Sequence, residues 1–432
     1  NVQHHISVAA GELDFVDRRQ ALVFGRDDGG GAETVGREIL RVGMLRSFYQ
    51  NNLYPLYHTY FTGLGLQVVL GEEPRPEGVR RATSSFCYPA QIAHGMFQDL
   101  LDREPDVIFL PKVAQLYVNN SRATGYAKHA TCCLAAAEPF FLRSVFQEAP
   151  MPVLTPVFEF HEGWGAMENE FVQLGEDLGR SAEEAAMAYR DGVAALEAFE
   201  RDKKTLGDEV LRRLEDNPDS FAVILFGRRY NTFANEANFG VPRKFATRGV
   251  HVLPYDCLRF ENEESIENMS WAAGHDIIRG ARFVKKHPRL FAAYVTNFSC
   301  GPDSFMVGYL RDIMGNKPSL TLELDSHTAD AGINTRVEAF LDIVRRDLAM
   351  GVKDPAVRSF QPARVVRHDG SWHFIDSAGH EQDFHDPAVK VLIPSMGHFT
   401  ADLAAAAFRG MGIRAEPIPT PRFSTLMRGR AN

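Results

Sequence analysis

One stretch limits the fold more than any other. Phe291 to Arg336 reads FAAYVTNFSCGPDSFMVGYLRDIMGNKPSLTLELDSHTADAGINTR. A short apolar run, Ala292 to Thr296, leads into a tight loop and then a helix. A turn, a second strand, a polar loop and a second helix follow. Pro302 suits the first turn of a helix, and Asp303 and Ser304 suit its start. Cys300 is therefore expected where a strand ends and a helix begins. A thiolate there faces the positive end of the helix dipole, which is expected to lower its pKa and make it a better metal ligand. The competing reading of Cys300 is a small buried residue in a crossover loop.

The same alternation recurs along the chain. Strands are expected at Arg41–Leu45, Leu66–Leu70 and Asp106–Leu110, then at Phe221–Phe226 and Val250–Leu253. Helices are expected between them, the one from Leu53 to Gly63 broken early by Pro55. This pattern argues for parallel α/β sheets. A strongly helical stretch, about 166–215, interrupts it. Five segments follow: an extension at 1–39, a first α/β unit at 40–160, a helical connector at 161–216, a second α/β unit at 217–350, and a C-terminal piece at 351–432. The last holds a hairpin (Arg364 to Asp376) and a strand-helix-strand element. Gly29 to Gly31 reads as a flexible joint. The stretch from Pro111 to Thr131 reads as a long loop, and such loops are usually functional or disordered.

At 432 residues the chain has room for two to four domains. A net charge of -9 gives no support for a nucleic-acid or acidic-membrane surface. No run is long and apolar enough to span a bilayer, and the first twenty residues lack a signal-peptide layout. Five cysteines make a disulfide framework a poor fit. Reduced thiols in a cytoplasm are expected, used for metal binding, catalysis or packing.

Cys87, Cys132 or Cys133, and Cys300 each fall on a loop after a strand and ahead of a helix. In open α/β sheets that is the carboxyl edge, where ligands bind. Three thiols from three loops can meet at one crevice. They suit an iron–sulfur cluster with one iron left open, or zinc with water in the fourth position. Cys257, after another strand, reads as a buried apolar residue.

Several segments together resemble a known family. They are Arg228 to Phe233, Asn238 to Lys244, Thr296 to Phe305, Glu323 to Gly332, and Cys87 to Ala90 with His94 and Gly95. They are similar to the acyl-CoA dehydratase activase-related proteins, akin to 2-hydroxyglutaryl-CoA dehydratase, benzoyl-CoA reductase and double-cubane cluster reductase subunits. The resemblance spans about residues 40 to 420. It implies two flavodoxin-like parallel-sheet units and a cysteine-ligated iron–sulfur cluster, either [4Fe-4S] or a larger double cluster. It implies an iron–sulfur oxidoreductase component, taking low-potential electrons from an ATP-hydrolysing activase and reducing a small substrate or CoA ester. A homologous subunit is a further expected partner. The alternative is a non-catalytic scaffold subunit. By position the ligands are Cys87, one of Cys132 and Cys133, and Cys300. The pair departs from the family's single cysteine followed by proline, and counting back from Pro139 points to Cys132. Large relatives run on beyond Asn432 into another cysteine-bearing region, and usually carry an activase module upstream.

Gly227, Arg228 and Arg229 follow a strand and suit a bound anion, such as the phosphate of a CoA ester, with Asn231 nearby. The competing reading is a solvated loop. No P-loop motif is present. Asp325, His327 and Asp330 cluster at a strand end, with His327 as a candidate general acid or base and Asp330 better suited to capping a helix. His94 lies on the helix after Cys87. It either tunes a cluster through a hydrogen bond or is simply packed.

Overall fold

Apolar strands alternating with helices build two parallel sheets of the same order. The computed structural model describes residues 10–26, 39–83, 87–118, 129–267, 269–350, 361–368, 370–395, 397 and 399–425. Gly29 to Gly31 and residues 119–128 of the long loop lie outside these. The chain divides into two units, 1–352 and 353–432.

In the first unit, one sheet holds β1 (Arg41–Leu45), β2 (Gln67–Gly71), β3 (Val107–Phe109) and β5 (Val153–Leu154). Its order is β2-β1-β3-β5, all parallel. The other holds β7 (Ala222–Phe226), β8 (His251–Pro254), β9 (Leu290–Asn297) and β10 (Ser319–Leu324). Its order is β8-β7-β9-β10, again parallel. Each sheet therefore runs second-first-third-fourth, the flavodoxin-like order, and switches direction between its first and third strands. β7 and β9 are buried along their whole length, as strands covered by helices on both faces must be.

Two local expectations change. The stretch from 152 to 159 is split at Pro156, which has no N–H to donate to a ladder. Its second half, β6 (Val157–Glu159), pairs with β4 (Lys112–Gln115) inside the stretch read as a loop. Pro55 does not break its helix, which runs Gln50–Gly63. Proline leaves the carbonyl four residues back without its helical donor. That carbonyl, on Asn51, accepts instead from Arg19 Nη1 at 3.0 Å.

The helical stretch resolves into Glu168–Asp177 and a 35-residue helix, Ala182–Asp216. The long helix starts at a capping box. Ser181 Oγ accepts from the Glu184 N–H at 3.3 Å, and the Glu184 carboxylate accepts from the Ser181 N–H at 2.9 Å. Its apolar residues enter both cores, with Tyr189 and Phe199 against the first sheet's cluster and Leu206 and Val210 against the second's. Phe158 and Phe171 stack in the first core at 4.6 Å between ring centroids.

The second unit carries an antiparallel sheet of β11 (Arg364–His368), β12 (Ser371–Ile375) and β13 (Glu381–Asp383). A parallel pair, β14 (Val391–Ile393) and β15 (Ala415–Pro417), is linked through the helix Thr400–Gly410.

Candidate functional site

Three cysteines cap three helices. Cys87 precedes Tyr88–Asp102, Cys132 precedes Cys133–Ala136, and Cys300 precedes Gly301–Met314. Pro89 and Pro302 lie in the first turns of two of these helices, where a missing N–H is no loss. At none of the three caps does the sulfur sit in ordinary capping geometry, although the Ala90 N–H acts on the Cys87 thiol and the Asp303 N–H on that of Cys300. A sulfur stands where an oxygen would normally satisfy the free N–H groups.

The three come from different elements yet act on one another. Burial raises the thiol pKa of both Cys87 and Cys300, the Arg228 guanidinium pulls both down, and a charge on Cys132 would push both up. Cys132, Arg228, Tyr49, Tyr230, Trp271 and Pro302 line one small crevice. The Cys132 N–H donates to the Tyr49 hydroxyl at 3.0 Å, and Tyr49 packs edge-on against Tyr230 at 5.8 Å. The Cys132 loop is stitched to the second sheet's side: Ala130 N–H donates to the Ser270 carbonyl and Ala272 N–H to the Ala130 carbonyl.

The shared sheet order makes the arrangement intelligible. The helix between second and third strands begins at Cys87 in the first sheet and after Trp271 in the second. After the third strands stand Cys132 and Cys300. Three of four equivalent corners carry a thiol, and Trp271 occupies the fourth.

Backbone strain flanks this crevice. Phe48, after β1, has φ 29°, and Ser299, just before Cys300, has φ 64°. Non-glycine residues in this region cost on the order of 1–3 kcal/mol and cluster at functional sites.

The expected drop in thiol pKa is reversed. Burial pushes the Cys300 thiol up to about 12, against the pull of Arg228 and of the Asp303 N–H. Cys87 is also raised by burial, against the Ala90 N–H and Arg228. Desolvation outweighs the helix ends and the guanidinium. The bare thiols of Cys87 and Cys300 hold their protons more tightly than a free cysteine and are poor nucleophiles. A cationic centre that displaces the proton changes that balance.

Cys133 is exposed, whereas Cys132 lines the crevice. Cys257 is fully buried beside Asp256, and burial raises its thiol pKa. Arg228 is buried, with Nε donating to Asp303 Oδ2 at 2.9 Å and Nη2 to Asn297 Oδ1 at 2.7 Å. Asp303 also accepts from the Tyr294 hydroxyl at 2.9 Å and from Thr296 Oγ1 at 2.6 Å. Arg229 donates to Asp256 at 3.1 Å and to Asp276 at 2.7 Å. Both guanidinium groups are thus already paired with carboxylates. Asn231 is buried and donates to the Val295 carbonyl at 3.4 Å. His327 is exposed in a turn, its N–H donating to Asp325 Oδ1 at 2.9 Å. Asp330 begins the Asp330–Met350 helix and pairs with Lys244. His94 stacks on Phe141 at 5.1 Å, with Nδ1 against the Ala90 carbonyl at 2.6 Å.

Asn297, Tyr49 and Tyr230 were given no role from sequence, and Asp303 was read only as suited to the start of its helix. Asp303 carried the only signal, a buried acid at the third position of the helix that Cys300 caps.

Among the described residues, no group of three or more His, Cys, Asp or Glu side chains closes on a point as the ligands of a single ion do. That geometry does not suit one zinc ion held by three thiolates. Three cysteines at separate helix starts would instead suit a group such as an iron–sulfur cluster, whose ligands bind separate irons.

Residues 41–258, just over half the chain, match the model of the CoA enzyme activase uncharacterised domain (DUF2229). The chain belongs to this family. The matched part of the CoA enzyme activase domain includes Cys87, Cys132 and Arg228 and ends before Cys300. No curated protein matches the chain. No helix among the described residues is long and apolar enough to cross a membrane.

Glu138, near this crevice, is buried and accepts from Ser47 Oγ. Burial raises its pKa from 4.5 to about 7. The folded chain therefore holds a proton that the unfolded chain releases. Stability from this group is full below pH 4.5 and is lost as pH rises through 7, an effect of about 3 kcal/mol at most. Glu138→Gln is expected to remove that dependence and to be the more stable form at pH 8. Urea midpoints at pH 5 and pH 8 test this; an unchanged pH dependence would place the proton elsewhere.

Proposed function

We propose that this chain is an iron–sulfur reductase or dehydratase-type component that takes low-potential electrons from an ATP-hydrolysing activase and reduces a small substrate or CoA ester. The observation that supports the reading is that Cys87, Cys132 and Cys300 each stand at a helix start, with Cys132 and Arg228 lining one crevice and Arg228 acting on the thiols of Cys87 and Cys300. Family membership supports a role in a CoA enzyme system. A cluster held there, single or double, supplies one-electron chemistry.

The chain's own residues do the rest. Arg228 offsets negative charge on the sulfurs and is held in place by Asp303 and Asn297. Free N–H groups at the helix starts face the sulfurs and ease further negative charge, which raises a reduction potential, while burial lowers it. Tyr49 fixes the Cys132 backbone. Trp271 stands at the fourth corner, so no thiolate comes from that helix start. His327, exposed in its turn, is the candidate general acid or base for such a site.

Cys300→Ala is expected to lose at least half of its iron and the absorption near 400 nm after anaerobic purification, with the circular dichroism spectrum kept. Activase with ATP should reduce the wild-type centre, while a mild donor alone should not. Iron-free, colourless wild-type protein prepared anaerobically would favour the scaffold reading. Full iron and full reductase activity in Cys300→Ala would make Cys300 a packing residue.

A further inference from the structure

A second cavity adjoins the cysteine crevice. It has a volume of about 340 Å³, within the range of small-molecule sites. The two share Asn52, Leu116, Arg229, Ala272 and Ala273 as walls. The larger chamber is charged, and its charges are not evenly placed.

Four of its five cations lie deep, and the fifth, Arg201, is exposed. Lys203 is 1% exposed, Arg279 5% and Lys204 9%, and the Arg229 side chain is 12% exposed. Only one wall carboxylate is equally deep, Asp256 at 1%. Asp256 already faces three cations: Arg19 at 2.8 Å, Arg229 at 3.1 Å and Lys203 at 3.5 Å. The carboxylates that balance the remainder are nearer solvent. Glu200 is 35% exposed, Glu261 36% and Asp276 26%. Buried cations need counter-charge, and here part of it comes from movable surface side chains. An anionic ligand group entering the chamber meets the same cations with less solvent around them, where charge-assisted hydrogen bonds are strong.

We infer that this chamber binds a small oxyanion-bearing molecule, a carboxylate or a phosphate, with its charged end against Lys203, Lys204 and Arg229. The other end points through the neck at Leu116, Ala272 and Ala273 toward Cys132. The volume equals that of about eleven water molecules, so the occupant has on the order of a dozen non-hydrogen atoms. A whole CoA thioester is too large. The orientation toward Cys132 rests on the function proposed above; the binding itself does not.

Calorimetric titration of the cluster-free chain tests the site apart from any redox role. The probes are succinate, inorganic phosphate, CoA and putrescine, a cation of similar length to succinate. One equivalent of succinate or phosphate should bind saturably. Whichever binds more tightly identifies the anionic group. Lys204→Gln removes one cation without stranding Asp256, since Lys204 bonds the Leu258 carbonyl and Glu261 instead. It should weaken binding about tenfold. Ala273→Phe, on the opposite wall, should fill the neck and lower affinity further, with a native circular dichroism spectrum confirming its fold. The inference fails if neither anion binds, if both variants bind as the wild type does, or if putrescine or CoA is the preferred ligand.

Discussion

Asp256→Asn is expected to cost about 3–5 kcal/mol, a large part of the stability of an ordinary domain. The carboxylate is buried, and its pKa is driven far below the usual range despite burial, because Arg19, Lys203 and Arg229 surround it. Arg19 is fully buried and makes two of its contacts to Asp256 through Nε and Nη2. An asparagine keeps the shape and removes the charge. Three cations then face each other in the interior with no deep counter-charge. The three come from the helix Phe15–Phe24, the 35-residue helix and the short helix Arg229–Thr232 after β7, so the loss should be felt by the whole first unit. Urea unfolding at pH 7 measures it. A loss below about 1 kcal/mol would mean that water in the adjoining chamber hydrates the cations well enough to replace the carboxylate.

Gly227→Ala is expected to cost at least about 3 kcal/mol and to disturb the cysteine crevice with it. Gly227 has φ 134°, a conformation L side chains rarely adopt. A Cβ there would also overlap the Val295 carbonyl oxygen and Thr232 Oγ1. Neither can step aside freely. The Val295 carbonyl lies in a fully buried strand and already accepts from Thr232 Oγ1 at 3.2 Å and Asn231 Nδ2 at 3.4 Å. The glycine lets the chain leave β7 against β9 and deliver Arg228 to Asp303. Thermal unfolding and the iron content of anaerobically prepared protein are the two readouts. A variant with unchanged stability and iron would show that the loop can relax without moving Arg228.

The cysteine positions carry the function proposed here, and they depend on local and distant features to different degrees. Cys87 and Cys300 could be placed at helix starts because a proline follows each within two residues. The choice between Cys132 and Cys133 was open to counting alone. In the structure Cys132 faces Tyr49 and the crevice, while Cys133 starts the next turn and is exposed. One residue of helix rotation separates the two, and only packing against Tyr49 and Tyr230 selects between them.

The sequence by itself determined the alternation of strands and helices, the two parallel sheets, the long helical stretch and the punctuation at helix starts. These follow from short-range causes: apolar runs, proline geometry and capping residues act within a few positions of themselves. Tertiary structure decided what those residues do. It raised the thiol pKa values by burial, paired Arg228 with Asp303 and Arg229 with Asp256, and let Arg19 support a helix through Pro55. Arg19 and Asp256 are 237 residues apart, and Arg228 and Asp303 are 75. Charge in a low-dielectric interior depends on every neighbour that excludes or replaces water, and those neighbours are set by the packing of two sheets rather than by the order of residues along either.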